Sequence, residues 1–243
     1  MASLTAHAKA AGPLPTARSV DRSAEIVEGL RQAILEHRLK PGTKLSEDEV
    51  GDIYGVSRTV VRSALQSLAH SELVSIEKNR GAFVARPSVQ EAREVFEARA
   101  LIEPKVANMA AGRMLPRHLN RLSKHIDAEH AATARGDKGH ALALSGEFHL
   151  EIARIAAHQV YTQFVATLIS RSSLIIALYW KRPDTTCESH SHEALLSAFE
   201  AGDGQDAEEI MLSHMVDLSS GLDLNQDAAP GRSLADALQV RRR

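Results

Sequence analysis

Three histidines are spaced in a way that would let them bind one metal ion. His192 and His214 lie eleven residues before and eleven residues after Asp203, which falls in a predicted break between two helices. If these helices form an antiparallel hairpin, the equal offsets place both imidazoles at one level, roughly 16 Å from the turn. Apolar residues at helical spacing flank both histidines, so both are expected to face inward. His149 lies on an earlier predicted helix and would meet them across a helical bundle.

Imidazole nitrogens that converge from separate helices suit Zn²⁺ or Ni²⁺, and the sequence therefore predicts a divalent metal site. Spacing alone leaves an equal alternative, in which the three are separate, hydrogen-bonded core histidines. Three histidines with an open fourth position also occur in metal-dependent hydrolases. The acidic neighbours lie off the helix faces of the histidines, which disfavours a hydrolase because no general base accompanies the site. These neighbours are Glu147, Glu151 and Glu193.

Two arginines form a second candidate site. Arg58 and Arg62 are four residues apart at the start of a predicted helix, and a tight turn at Gly55 precedes that helix. In a helix-turn-helix this part of the second helix enters the major groove of DNA. A guanidinium bonds guanine or phosphate at two points, and no acidic residue occurs between positions 53 and 71 to neutralise the pair. Flanking hydroxyls for phosphate contacts belong to Ser57 and Thr59.

The order of elements around these arginines predicts a winged helix-turn-helix over residues 21–86. An amphipathic helix over 21–39 is followed by a short helix that Ser46 caps, then by the arginine helix to about Ser71. A hairpin follows, and its tip, which would act as the wing, comprises Asn79, Arg80 and Gly81. The alternative is a small helical domain whose arginines merely face solvent. Residues 21–86 carry as many acidic as basic residues, so DNA binding is expected to depend on a few well-placed cations.

After Pro87 the pattern predicts helices only, separated by short breaks, which indicates an antiparallel all-α bundle over residues 88–222. Aromatic residues make up only 4% of the chain, which favours closely packed helices of Ala, Leu, Ile and Val. Residues 1–20 and 223–243 are predicted to be flexible tails, and a transit peptide is the less favoured interpretation of the first. The single cysteine, together with the lack of a secretory signal or a spanning apolar run, predicts a cytoplasmic protein without a membrane segment.

The N-terminal segment resembles the GntR family of bacterial winged-helix regulators. The likeness rests on Pro41–Glu47, on Gly55–Leu65 and on the later strand and wing residues. The resemblance implies that Arg58 and Arg62 contact an operator. Val60 replaces a proline that is frequent in the family, and Asp48 stands where some FadR-type members carry a DNA-contacting arginine.

The segment after Pro87 is similar to the FCD sensor domain of the FadR-like subfamily, so the likeness covers nearly all of residues 21–222. It includes the first-helix motif Glu97–Pro104. This resemblance implies that His149, His192 and His214 are metal ligands. Metal-binding members also have an aspartate four residues before the first histidine, and here that position is Ser145.

The resemblance further implies a small carboxylate effector and a homodimer that binds a palindromic operator. Candidate effector contacts are Arg99 first, Arg171 second, then Ser145 beside the metal, and His158, which stands where such sensors often have asparagine. A metal-free acyl-CoA sensor is the alternative within the subfamily. The sequence as a whole predicts a ligand-responsive transcription regulator and not an enzyme.

Overall fold

The structure is a computed structural model that describes residues 17–181 and 187–225. The N-terminal domain contains three helices and three short strands. These are α1 (Ala17–Leu35), β1 (Lys44–Leu45), α2 (Glu47–Tyr54), α3 (Arg58–His70), β2 (Val74–Glu77) and β3 (Gly81–Val84). The first helix begins four residues before its predicted start. Most of the two predicted tails, residues 1–16 and 226–243, lies outside the described residues.

The strands form an antiparallel sheet in the order β1-β3-β2. The predicted hairpin is confirmed, because β2 and β3 pair from Val74 opposite Val84 to Glu77 opposite Gly81. Asn79 and Gly81 have φ angles of 63° and 101°, and this left-handed conformation, which asparagine and glycine tolerate best, turns the chain at the tip. Sequence patterns did not predict β1, which has only two residues and is held by pairing to β3.

Over residues 88–181 and 187–225 the second domain contains six helices, which confirm the mainly helical class. They are α4 (Val89–Ala111), α5 (Pro116–Ala134), α6 (Lys138–Ile155), α7 (Gln159–Tyr179), α8 (Cys187–Ala201) and α9 (Gly204–Ser220). Helix α4 packs against α9 and α7, and α5 packs against α6 and α8. The predicted hairpin of α8 and α9 is present, and Asp203 caps α9 by accepting hydrogen bonds from the backbone amides of Gln205 and Asp206.

The two domains are in direct contact through α1, α6 and α7. Leu174 of α7 is fully buried in the hydrophobic core of the N-terminal domain. A methyl group at Gly139 of α6 would lie 2.0 Å from the backbone oxygen of Glu36, the residue that follows α1. The backbone at the end of α1 is therefore in direct contact with the backbone of α6. Helix α7 is long and apolar enough to cross a membrane by length and composition alone. Its contacts with α1, α4 and α6 are those of a helix within the bundle.

Candidate metal centre and DNA-binding surface

The structure brings His149, His192 and His214 together in the core of the second domain. They come from α6, α8 and α9, and each is at most 3% exposed. The Nε2 atom of His149 lies 3.3 Å from Nε2 of His192 and 3.2 Å from Nε2 of His214. The ring of Phe148 stacks on His192 with centroids 4.2 Å apart, which fixes the orientation of that imidazole.

Two buried glutamates lie behind the histidines and were missed by the sequence analysis. Oε2 of Glu103 is 2.6 Å from Nδ1 of His149, and Oε2 of Glu129 is 2.9 Å from Nδ1 of His192. A carboxylate at Nδ1 favours the tautomer that carries its proton there, which leaves the Nε2 lone pair directed into the cluster. A signal for Glu129 existed in the sequence, because it continues the apolar stripe of α5 through Leu122 and Ile126.

Arg99 balances the charge of Glu103. The two residues are one turn apart on α4, both are nearly fully buried, and they form an ion pair. Burial alone would raise the pKa of Glu103, but Arg99 and His149 reverse this effect and lower the pKa to about 2. The carboxylate therefore stays ionised at neutral pH. Arg99 also donates from Nη1 to the hydroxyl of Ser172 on α7, at 3.0 Å.

Burial keeps the imidazoles neutral. It lowers the pKa of His192 to about 3 and the pKa of His214 well below its usual value. Burial also lowers the pKa of His149, although the nearby Glu103 partly opposes the shift. Metal ions bind only the neutral form of imidazole, so the cluster is ready to bind without first losing protons.

We expect the metal-free protein to lose stability as the pH falls from about 6.5 towards 3. In this window the unfolded chain binds protons at the three imidazoles more readily than the folded chain does, so the free energy of unfolding decreases with falling pH. Burial raises the pKa of Glu129 to about 7, which has the opposite effect below neutrality. The lowered pKa of Glu103 acts in the same direction as the imidazoles, so the one opposing carboxyl group leaves the sign unchanged. Urea titrations with a chelator at several pH values measure the slope.

A variant isolates the contribution of the cluster to that slope. His214→Gln should show a shallower loss of stability on acidification than the unaltered protein, because it removes one imidazole of depressed pKa. Equal slopes for the two proteins would contradict the assignment of the pH dependence to these histidines.

The donor set fits a tetrahedral metal ion. Zinc–imidazole bonds of about 2.0–2.1 Å place two ligand atoms of a tetrahedron about 3.3–3.4 Å apart. The two Nε2 separations of 3.2 and 3.3 Å correspond to this value. Lone pairs that face one another across such short distances repel, and a cation between them would remove the repulsion.

A separate prediction concerns Glu129, one of the two carboxylates that lie behind the histidines. Glu129→Gln should weaken binding of Zn²⁺ by roughly 10–100-fold, because the amide no longer fixes the tautomer and basicity of His192 as a carboxylate does. Competition with a chromophoric chelator measures the affinity. Glu193→Gln is the control, since Glu193 is exposed and contacts the exposed His130 at 3.7 Å instead of the cluster. Equal losses in the two variants would contradict the role of Glu129.

A small cavity lies beside the cluster. Its volume is about 20 Å³, and the polar residues in its wall are Arg99, Ser145, His149, Ser172 and Ser173. Ser145 is buried one turn before His149 on α6. Of the four predicted effector contacts, Arg99 and Ser145 therefore lie together next to the histidines.

The other two predicted effector residues lie elsewhere. Arg171 pairs with Glu72 of the N-terminal domain at 3.0 Å and with Glu91 of α4 at 2.8 Å, so it bridges the domains. His158 stands at the N-cap of α7, where Nδ1 accepts a hydrogen bond from the backbone amide of Tyr161 at 3.3 Å and the ring stacks on Tyr161. In this conformation the His158 side chain caps the N-terminus of α7.

The two arginines of the predicted DNA-binding site project from the start of α3. Their side chains are 69% and 61% exposed for Arg58 and Arg62. The expectation that no acidic residue neutralises them is wrong, because α2 supplies partners from outside the segment considered. Arg62 binds Glu47 through two hydrogen bonds of 2.8 and 2.9 Å, and Arg58 pairs with Asp48.

The remaining DNA-binding candidates occupy the same helix start and the wing. Ser57 is at the N-cap position of α3, but its hydroxyl makes no capping hydrogen bond. Thr59 is exposed in the first turn. At the tip of the wing, Arg80 pairs with Glu77 and its guanidinium lies 5.4 Å from the centre of the Phe83 ring. Asn79 and Gly81, both in the left-handed conformation, turn the chain at this tip.

Glu47→Gln should strengthen operator binding. The Arg62 hydrogen bonds lower the pKa of Glu47, so its carboxylate is ionised at neutral pH and competes with DNA for the guanidinium. We expect a several-fold gain in affinity, measured by fluorescence anisotropy at fixed salt with an operator selected from random duplexes. Glu49→Gln removes an equal charge from the same helix and is the control. A gain of equal size in the control would show that net charge, and not release of Arg62, is the cause.

The fold and these two sites define a class of protein: a winged helix-turn-helix with exposed arginines, joined to a helical domain with a buried polar centre. The model for the bacterial regulatory proteins of the gntR family matches residues 22–84, and the FCD domain model matches residues 94–217. The chain therefore belongs to the GntR family and carries an FCD domain.

Similar proteins agree with this assignment. The HTH-type transcriptional repressor RspR of Escherichia coli strain K12 is 27% identical over 201 residues, which cover 82% of this chain and 87% of that protein. The HTH-type transcriptional regulator LutR of Bacillus subtilis strain 168 is 26% identical over 206 residues, covering 76% and 93% of the respective chains.

Among solved structures, a GntR transcriptional regulator from Rhodococcus sp. RHA1 has the same fold, with a TM-score of 0.72, 23% identity, and coverage of 82% of this chain and 96% of that one. The family and its relatives are transcription regulators. This chain is accordingly a DNA-binding transcription regulator and not an enzyme, and the hydrolase alternative is set aside.

Proposed function

We propose that a small carboxylate metabolite, bound at a metal ion held by His149, His192 and His214, controls the affinity of this regulator for its operator. The convergence of three buried imidazole nitrogens within 4.8 Å of one another is the observation that carries the proposal. Zn²⁺ or Ni²⁺ suits the three imidazoles, and either ion would supply a Lewis-acidic position for a carboxylate oxygen. Ser145 leaves room on the side where related sites have an aspartate.

Arg99 is the residue best placed to bind the other oxygen of the carboxylate. Its Nη1 group points to Ser172 at 3.0 Å, and both residues line the small cavity beside His149. A carboxylate that enters this cavity competes with the Ser172 hydroxyl for the same N–H group. A charge-assisted hydrogen bond is stronger than one to a neutral hydroxyl, so the effector would displace Ser172.

Helix α7 connects this event to the DNA-binding domain. Ser172 faces Arg99, while the next residue, Ser173, accepts a hydrogen bond from Nε2 of His37 at 2.9 Å through its carbonyl oxygen. Leu174 enters the core of the DNA-binding domain, and Arg171 pairs with Glu72, just beyond the end of α3. A shift of this turn of α7 would therefore move the contacts that orient the DNA-binding domain.

On the DNA side, Arg58 and Arg62 read the major groove, with Ser57 and Thr59 on phosphate. The wing residues Asn79, Arg80 and Gly81 enter an adjacent groove. A homodimer would present two such heads to a palindromic operator, as helix-turn-helix proteins do. The site of action is the cytoplasm, where the DNA and the metabolites of a bacterium are found.

A combined experiment tests the proposal. Purified full-length protein is stripped with a chelator, reloaded with Zn²⁺ or Ni²⁺, and screened by thermal shift against small carboxylates. A ligand that binds only the folded state raises the melting temperature. We expect one or more carboxylates to stabilise the loaded protein, not the stripped protein, and to change operator affinity in anisotropy titrations. Failure of both metals to bind the stripped protein would overturn the proposal.

A further inference from the structure

The cavity beside the histidines is too small for a whole metabolite. A water molecule needs about 10–15 Å³ of such space, so 20 Å³ accommodates little more than one oxygen-sized group. If the proposed function is correct, only the head of the effector reaches Arg99 and the metal. The rest of the molecule must occupy another space directly next to this one.

A second cavity meets this requirement. It has a volume of about 360 Å³ and lies between α1 of the DNA-binding domain and helices α6 and α7. Ligand pockets commonly measure about 300–1,000 Å³. Four residues form part of the wall of both cavities: Leu142, Gly146, Ile169 and Ser173. A methyl group at Gly146 would lie 2.9 Å from Cγ2 of Ile169, so the Ile169 side chain stands between the two cavities and must change rotamer for one ligand to occupy both.

The larger cavity has a mixed chemical character. Its walls carry aliphatic side chains from all three helices, including Leu35, Leu144 and Leu150. Most charged groups in the wall have ion-pair partners, and Glu147 pairs with Arg154, which lies outside the cavity wall. Arg31 bonds Glu28 at 2.6 and 2.8 Å, and His140 lies 3.6 Å from Glu36. An apolar chain, and not a second charged end, is the occupant that these walls suit.

We infer that the larger cavity is a second compartment of the effector site and takes the apolar body of an amphipathic carboxylate whose head lies between Arg99 and the metal. The ligand thereby touches α1 of the DNA-binding domain as well as the sensor helices. Ligand binding therefore affects the relative orientation of the two domains directly, in addition to its effect through the contacts of α7.

Chain length of the ligand tests this inference. Full-length protein loaded with Zn²⁺ is titrated calorimetrically with acetate, butanoate and hexanoate. Burial of each added methylene should tighten binding about fourfold, so hexanoate should bind on the order of a hundredfold more tightly than acetate. Metal-dependent binding of acetate with no gain for hexanoate would overturn the second compartment and leave the proposed function intact. No metal-dependent binding of any of the three would overturn both.

Two substitutions fill the larger cavity without reaching the smaller one. Ala166→Leu on α7 and Ala143→Leu on α6 line only the larger cavity, so each should weaken hexanoate binding at least tenfold and change acetate binding less than twofold. Ala134→Leu, at an exposed position of α5, is the control for the added side chain. Melting curves and metal content confirm that each variant is folded and loaded. Hexanoate affinity that is unchanged in both cavity variants would contradict the inference.

Discussion

Replacing His149 with alanine is expected to abolish metal binding. Its Nε2 atom is the one within 3.3 Å of both other Nε2 atoms, so the change leaves two donors that do not surround an ion. Metal content, measured by elemental analysis of dialysed protein, should fall from one ion per chain to background. The loss of affinity should exceed the roughly 10–100-fold effect of altering an outer carboxylate.

Loss of metal also means loss of stabilisation. An ion that binds the folded state alone raises the free energy of unfolding with its concentration, so Zn²⁺ should raise the melting temperature of the unaltered protein and not of the variant. His149→Gln keeps most of the side-chain volume. It therefore distinguishes loss of the metal ligand from loss of packing, which could by itself destabilise the alanine variant. His130→Ala, at an exposed histidine beside Glu193, should retain the full metal content. A full complement of metal in both His149 variants would rule out the three-histidine site.

Arg58→Ala and Arg62→Ala are each expected to weaken operator binding by about 10–100-fold. This is the range for loss of one bidentate contact to a base. The acidic partners add to the loss, because Asp48 and Glu47 are left without a cation close to the DNA phosphates. Anisotropy titrations of each variant against the selected operator and a scrambled duplex measure both affinity and specificity.

Replacing Arg58 with lysine, in addition to alanine, distinguishes recognition of bases from attraction of the positive charge to the phosphates. Arg58→Lys keeps the positive charge but loses the planar fork, so it should retain binding to the scrambled duplex and lose preference for the operator. Arg117→Ala, at an exposed position of α5 in the FCD domain, should change neither affinity. If the Arg58 and Arg62 variants bind the operator as tightly as the unaltered protein, the start of α3 is not the reading surface.

Local patterns predicted most of the fold. These patterns depend on residues that are close in sequence, so a single sequence is enough to recognise them. They are the helix periodicity, the Ser46 cap and the glycine-containing hairpin turn. Strand β1 escaped prediction because two residues carry no pattern, and only pairing with Phe83 and Ala82 makes them a strand. Helix α1 begins at Ala17, four residues before its predicted start at Asp21.

The functional sites likewise combine features that local sequence predicts with features that only the folded structure shows. Equal offsets from Asp203 brought His192 and His214 to one level, since both lie on one helical hairpin. The pairing of Arg62 with Glu47 crosses two helices and could not be read from the segment around the arginine. Glu103 looked like an ordinary helix acid, and only the packing of α4 against α6 reveals its contact with His149.

The burial of Leu174 in the core of the DNA-binding domain limits how freely the two halves of such a regulator can be exchanged. Residues 17–86 alone would lack a side chain that their own core surrounds completely. A missing leucine of this kind costs about 2–5 kcal/mol in stability, a large share of what a small domain possesses. A chimera with another sensor would inherit that deficit unless its own helix supplied an apolar side chain at the same place. A junction at the linker is therefore expected to give a stable chimera only when the incoming sensor domain has an apolar residue in the place of Leu174.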